Sequence, residues 1–318
     1  METKKIIPTH YPVMWKEIVD TVEKHFSKDI ETHFLDGTGG EGGHVLKIKN
    51  AFPHSKILFL DRDPIMIQRA LSRLDGYSNI NSLCKNFSEL EKNDLDTIGW
   101  KQGCDSILLD LGISTFHITE SGRGFSFRGN ESLDMRMNPD ISHHQITAAE
   151  ILNTYSQRDL ERIFYEYGEE RWTKKIVERL IEKRKSSQME TNSDFAKLVE
   201  SAIPRKFWPP KSHPSVRVFQ ALRIEVNQEL KHLEIALKQL PFLLKPNGIF
   251  QVISFHSLED RLVKHAFRNL IQTNNGFQFI YKKPLLPSED EIINNPPSRS
   301  AKLRAICRST DTIGKRKY

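Results

Sequence analysis

Cysteine is scarce in this sequence, and so are long apolar runs. The three cysteines, Cys84, Cys104 and Cys307, lie far apart and form no CxxC pair. That excludes a disulfide framework, and each reads as a small buried hydrophobe. Twelve histidines are scattered without an HExxH or similar ligand pair, which argues against a structural metal site. No apolar run approaches the roughly 20 residues that a helix needs to cross a bilayer. Residues 1–10 lack the apolar core of a secretory signal, so a cytoplasmic location and no membrane partner are expected.

What is present is a globular balance, 38% hydrophobic and 28% charged residues, too apolar for a disordered chain. The 318 residues leave room for one large domain or two modest ones. The net charge of +6 permits a polyanionic partner without demanding one. Near the carboxyl end Arg299, Lys302, Arg304, Arg308, Lys315, Arg316 and Lys317 face one acid, Asp311. Such a block is either a solvated tail or a phosphate-binding surface.

The first third alternates strands and helices. Residues 33–35, 57–60, 80–83 and 107–109 are short apolar runs. The segments after 45 and over 64–74 have helical character, with Ile65, Ile67, Ala70, Leu71 and Leu74 available for packing. That alternation implies parallel βαβ units. Residues 116–138 then form a polar, glycine-containing stretch without a period. Residues 147–185 return to the helical period, with Gly168 as a break. After four prolines between 204 and 214, an apolar stripe from Phe219 to Leu240 predicts one long helix. A turn at 246–248, a strand at 249–253 and a helix from 254 follow. Segments 277–281 and 303–307 are predicted strands, an antiparallel pair.

The fold class expected is therefore α/β, one open sheet carrying an inserted all-helical domain. The boundaries are 1–115 with 216–318 for the sheet domain and 116–215 for the insertion. Such sheets bind ligands at the carboxyl ends of their strands. Asp36, Asp61 and Asp110 each stand at such an end.

Between the first strand and its helix lies Asp36-Gly37-Thr38-Gly39-Gly40-Glu41-Gly42-Gly43-His44. Glycines there allow close backbone approach and positive φ. Gly37, Gly39 and Gly42 also satisfy GxGxxG, and Asp61 falls where a ribose-binding acid belongs. A nicotinamide enzyme fits these features as readily as a methyltransferase. Asp36 and Glu41 tilt the balance toward a cationic ligand, S-adenosyl-L-methionine, and away from a pyrophosphate.

Further segments follow in order. Among them are Asp61-Arg62-Asp63-Pro64, Asp110-Leu111-Gly112-Ile113-Ser114, Arg123-Gly124-Phe125-Ser126-Phe127 and Leu133-Asp134-Met135-Arg136-Met137. Later come His213-Pro214, the run 219–224, Ser254-Phe255-His256-Ser257-Leu258-Glu259-Asp260-Arg261 and the run 298–304. Together, from Thr9 to Arg308, they closely resemble the MraW/RsmH family of ribosomal RNA small-subunit methyltransferases. The resemblance implies a Rossmann-like, S-adenosyl-L-methionine-dependent enzyme with an inserted helical substrate-binding domain. It implies methylation of N4 of a cytidine in the decoding region of 16S rRNA, the partner being that RNA within the small ribosomal subunit. It leaves a homodimer open. It places cofactor contacts on Gly42, Gly43, His44, Asp61, Phe87, Asp110 and His117. At the last of these the chain departs from the family, reading Ser-Thr-Phe-His-Ile-Thr over 114–119 where Ser-Ser-Pro-Gln-Leu-Asp is usual.

Cytosine N4 is a poor nucleophile because its lone pair is delocalised into the ring, so positioning supplies most of the acceleration. Asp110 is the candidate catalytic acceptor for the amino protons, or else only a cofactor contact. His256 is either a general base or part of a helix start in which Ser257 and Asp260 form the capping box. Arg123 and Arg136, with Phe125 and Phe127 between them in sequence, suit a splayed-out base and its phosphates. Packing of the two phenylalanines inside the insertion is the competing reading. Arg299, Lys302 and Arg304 are further candidate phosphate contacts. Three functions remain: RNA methyltransferase, nicotinamide oxidoreductase, and an RNA-binding protein without catalysis.

Overall fold

A computed structural model describes residues 11–139, 145–210, 212–273 and 276–309. Lys315, Arg316 and Lys317 of the basic tail, and Thr9 and His10, lie outside the described residues. Contacts divide the chain into two units, Met1–Gly112 with Leu230–Tyr318, and Ile113–Glu229.

The first unit is built on a seven-stranded sheet. Its strands are β1 (His33–Asp36), β2 (Lys56–Asp61), β3 (Ile80–Cys84), β4 (Cys104–Asp110), β5 (Leu244–Ser254), β6 (Phe277–Phe279) and β7 (Lys302–Arg308), in the order β3-β2-β1-β4-β5-β7-β6. β1 to β5 run parallel, whereas β7 is antiparallel to both β5 and β6. The expected β6–β7 pairing is present. The dominant partner of β7, however, is β5.

Register explains why these strands are continuous apolar runs. One row across the sheet is Leu58–Leu35–Ile107–Phe250–Ile306. All five are buried in the core on one face. The neighbouring row contributes Ile57, Phe34, Ile249 and Cys307 to the core on the other face. Both faces are covered, so both parities of side chain are mainly apolar, with Ser106 and Gln251 as buried polar exceptions. Each fully buried aliphatic or aromatic side chain stabilises the sheet by about 1.5–3 kcal/mol.

Helix Pro64–Arg73 starts on the side chain of Asp63, which accepts from Ile65 N–H. It buries Met66, Ile67 and Ala70, with Leu74 beyond its end, but leaves Ile65 and Leu71 exposed. Cys84 is exposed too, contrary to expectation, because it ends the outer strand β3.

The second unit is helical: Ala148–Thr154, Gln157–Glu166, Thr173–Arg184, Asn192–Ala202 and Val216–Asn227 enclose a core that includes Phe164, Leu180, Phe195 and Phe219. Gly168 is a break, since a Cβ there would sit 2.7 Å from the Phe164 carbonyl oxygen and 2.8 Å from that of Arg217. The single long helix expected from Phe219 to Leu240 is instead two. Gln228 takes a left-handed conformation (φ 47°) and separates Val216–Asn227 from Glu229–Gln239. Residues 216–229 therefore pack with the helical unit, and its boundaries fall at 112/113 and 229/230, not at 115/116 and 215/216.

Candidate active site

Strand order reverses between β1 and β4, which opens a crevice at their carboxyl ends. Asp36 ends β1 and Asp110 ends β4, so both flank this switch point, with Asp61 at the end of the adjacent β2. Thr38 joins the first two. Its hydroxyl lies 3.3 Å from Asp36 Oδ1 as a donor, and accepts from the Asp110 N–H at 2.6 Å.

The turn from β1 folds tightly against its neighbours. Gly37 N–H donates to the Leu108 carbonyl and Gly39 N–H to that of Leu60. A Cβ on Gly37 would lie 2.5 Å from Leu109 Cδ2, and one on Gly39 2.5 Å from Phe59 Cδ2. These two glycines are thus demanded by the protein's own core rather than by a ligand. Gly42 has positive φ (76°) and caps the helix Gly43–Ala51. Phe87, on a one-turn 3-10 helix after β3, packs beside Gly37, its Cβ 3.1 Å from where a Cβ of Gly37 would be.

Asp61 is already a hub. Its Oδ2 accepts from Gly40 N–H at 2.9 Å and its Oδ1 from Asp63 N–H at 2.8 Å. Glu41 faces Arg69 Nε at 2.9 Å. The sequence reading had offered Glu41 to a cationic ligand; its charge is instead met by Arg69.

The electrostatics centre on Asp36, His44 and Asp110. Asp36 is buried, and its Oδ2 accepts no hydrogen bond among the described residues. Burial pushes its carboxyl up from the usual 3.8 to about 6, with His44 opposing the rise. His44 is buried on the first turn of its helix and donates from Nε2 to the Val13 carbonyl at 2.9 Å. Its Nδ1 faces Asp110 Oδ2 at 3.6 Å. Burial holds the imidazole below its ordinary range, and the neutral ring, with its Nε2–H given to Val13, has no proton to offer that carboxylate. Asp110 Oδ1 accepts from Gly112 N–H at 3.2 Å.

Three carboxylates thus converge on a glycine turn whose amides are largely taken up by the fold, with one buried oxygen lacking a donor. That donor set fits a cationic ligand carrying hydroxyl and amine donors, which are what S-adenosyl-L-methionine offers. It fits a pyrophosphate poorly, since the nearest groups are acids rather than cations.

The structure brings together Gly42, Gly43, His44, Asp61, Phe87 and Asp110. His117 belongs to the second unit, buried on the short helix Thr115–Thr119 between the rings of Phe116 and Phe125. Arg123 is buried there as well, its Nη1 donating to the carbonyls of Arg136 and Met137 at 3.2 and 2.8 Å. Arg136 forks onto Asp134 at 2.7 and 2.8 Å. Phe125 is in the helical core, and Phe127 is half-buried against His213.

In the first unit Lys302 and Arg304 share Asp260, at 3.3 and 2.7 Å, whereas Arg299 is exposed on the turn Pro296–Ser300. The expected Ser257/Asp260 box is displaced by one residue. His256 is the N-cap, its ring accepting from the Glu259 N–H, while Glu259 reaches back to the His256 N–H. Asp260 is drawn away by the two cations from β7. Sequence reasoning passed over Thr38, whose link between Asp36 and Asp110 becomes visible only once β1 and β4 are known to be neighbours.

Relatives match the sequence along most of the chain. A ribosomal RNA small subunit methyltransferase H of Leptospira interrogans serogroup Icterohaemorrhagiae serovar copenhageni is 54% identical over 310 residues, spanning 97% of this chain and 91% of that protein. The protein of the same name from Trichodesmium erythraeum is 43% identical over 272 residues, 85% of this chain and 90% of its own. The N-methyltransferase NodS from Bradyrhizobium japonicum, solved with S-adenosyl-L-homocysteine, aligns with a TM-score of 0.41 at 10% identity, covering 96% of this chain and 90% of that one. A family model described as the MraW methylase family matches residues 8–309. With that match running from before the first described helix to the end of β7, the chain is a member of the MraW methylase family.

Proposed function

We propose that this chain methylates N4 of a cytidine in the decoding region of 16S rRNA, within the small ribosomal subunit, using S-adenosyl-L-methionine. The observation that carries this reading is the convergence of Asp36, Asp61 and Asp110 with the glycine turn at the β1/β4 switch point. When bound, the donor supplies an electrophilic methyl group on a sulfonium cation. Gly42, Gly43, His44, Asp61, Phe87 and Asp110 are the residues that would hold it. A cation beside these carboxylates offsets the cost of ionising buried Asp36.

Asp110 has a second task in this reading. As a carboxylate it accepts a hydrogen bond from the exocyclic amine and localises the nitrogen lone pair as the new bond forms. Its backbone N–H is tied to Thr38 and its Oδ1 to Gly112 N–H, so its rotamer is held. Positioning of this kind contributes more than proton removal, which water completes. Arg299 is the exposed cation of the set expected at phosphates.

Asp110→Asn separates the two roles. Methyl transfer to small subunits lacking the modification is expected to fall about 100-fold or more at saturating S-adenosyl-L-methionine, beyond the weaker calorimetric binding that loss of this carboxylate also brings. Turnover at the normal rate would remove Asp110 from the chemistry. Titration with NAD beside S-adenosyl-L-methionine tests the reading as a whole: heat from the nicotinamide nucleotide alone would end it.

A further inference from the structure

The second unit carries a surface that none of the chemistry above uses. The segment Pro204-Arg205-Lys206-Phe207-Trp208-Pro209-Pro210 leaves the helix Asn192–Ala202 and forms a single 3-10 turn, Arg205–Phe207. Phe207 is 53% exposed, an unusual position for so large an apolar ring. It packs against Trp172, ring centres 5.1 Å apart and planes tilted by 43°. Trp208 lies 6.0 Å from His213, and His213 stacks on Phe127 at 4.4 Å with planes 5° apart.

Three of the four rings have a cation beside them. Lys206 Nζ is 5.1 Å from the Phe207 ring centre, Arg205 Cζ 5.5 Å from Trp208 and Arg128 Cζ 5.7 Å from Phe127. All three cations are exposed. Among the described residues the structure records no carboxylate paired with any of them, whereas His213, deeper in the patch, takes Glu200 at 2.8 Å.

The platform is also held in shape. Trp208 Nε1–H donates to the Ile203 carbonyl at 2.9 Å. His213 Nδ1 accepts from Ser215 N–H, which leaves Nε2–H to donate to Glu200. Buried Asn192 donates to the carbonyls of Ser126 and Arg128 at 2.8 and 2.9 Å, fixing the loop that carries Phe127. Prolines 204, 209 and 210 restrict φ on either side of the exposed rings. Ring faces and cations that are already ordered lose little entropy on binding.

A single RNA strand presents the matching chemistry, flat bases alternating with phosphates. We propose that the surface of Trp172, Phe207, Trp208 and Phe127, with Arg128, Arg205 and Lys206, is a docking platform for single-stranded RNA. This rests on the reading of the chain as an RNA-modifying enzyme and extends it to a segment outside the chemistry. A base stacks on exposed Phe207, beside the half-buried rings, and phosphates meet the three cations. Duplex RNA, whose bases are already stacked on each other, gains only the phosphate contacts.

The test uses the full chain with a labelled twelve-residue oligouridylate and an RNA hairpin of equal charge, read by fluorescence anisotropy at several salt concentrations. Phe207→Ala, at an exposed position, is expected to weaken oligouridylate binding roughly fivefold or more while hairpin affinity stays within twofold. The double variant Arg205→Ala/Lys206→Ala should weaken both probes and flatten the salt dependence by about one to two contacts. In methyl transfer, Phe207→Ala should raise KM for the small subunit and leave kcat in place. Unchanged melting and unchanged S-adenosyl-L-methionine affinity accompany these results if the fold is intact. Oligouridylate affinity within twofold of wild type in both variants overturns the platform, and so does an unchanged KM in an active Phe207→Ala enzyme. If the wild type binds oligouridylate through Phe207 yet transfers no methyl group to small subunits, the platform stands and the methylation reading falls.

Discussion

Asp36 Oδ1 accepts from the N–H of Thr38 at 3.0 Å, with the Thr38 hydroxyl a further donor, while the buried Oδ2 accepts from nothing among the described residues. The sign of the consequence follows from its raised pKa. The folded chain keeps this proton to about pH 6, whereas the unfolded chain releases it near 3.8. Stability therefore falls as pH rises through that window and stays lowered above it, by on the order of 3 kcal/mol. Asp36→Asn keeps an acceptor for Thr38 and removes the charge. Urea unfolding at pH 8 should show the variant about 1–3 kcal/mol more stable than wild type, with the advantage gone at pH 4. Parallel pH profiles for the two proteins would contradict the assignment. Weaker binding of a cationic donor should accompany the gain, since the variant has lost a negative charge at the crevice. Asp36, Asp61 and Asp110 were legible because each closes an apolar run. Glu41 was misread because its partner Arg69 lies on the next helix of the fold, and nothing in the local sequence ties the two.

At the scale of elements, the glycine turn separates two kinds of requirement. Gly39 faces the Phe59 ring and the Leu60 carbonyl oxygen, at 2.5 and 3.2 Å from a would-be Cβ. Gly40 has φ of 50° but open space, its nearest neighbour 3.9 Å away. Gly39→Ala should cost about 1–3 kcal/mol of stability by forcing the buried ring or the turn to move. Gly40→Ala should cost only about 1 kcal/mol, the penalty of a left-handed residue. Thermal melting of the pair decides this, and equal losses would mean that the turn yields freely.

Legibility differed between elements in the same way. The parallel strands were readable because burial on both faces makes them uniformly apolar. The break at Gln228 was not, because a left-handed non-glycine residue leaves the apolar stripe on either side unbroken. The capping box of helix Ser257–Gln272 was off by one because His256 caps it in place of the more usual serine, and its start at 254 was three residues early because β5 runs on through Ser254.

At the scale of the whole molecule, the helical core and the two sheet cores share no residue. A chain with separate cores is not bound to unfold in one step. Calorimetry is expected to give a van't Hoff enthalpy below the calorimetric one. S-adenosyl-L-methionine should move the part of the transition that belongs to the sheet unit. One transition with equal enthalpies, shifting as a whole, would argue for a single cooperative body. The insertion itself was legible from the change of period after β4. Its closing edge was not, since the helix Val216–Asn227 carries the same kind of stripe as the helix that follows it.

The place of β7 has a consequence for how the molecule is made. It lies between β5 and β6, hydrogen-bonded to both, although it comes after them in the chain. During synthesis from the amino end, β5 emerges with one rim of amide and carbonyl groups open, and that rim waits for Lys302–Arg308. The helical insertion has left the ribosome by then and has the contacts to pack its own interior. The sheet stays an unfinished, sticky edge until the last strand slots in, which makes this interval the one in which a nascent chain most needs shielding from its neighbours.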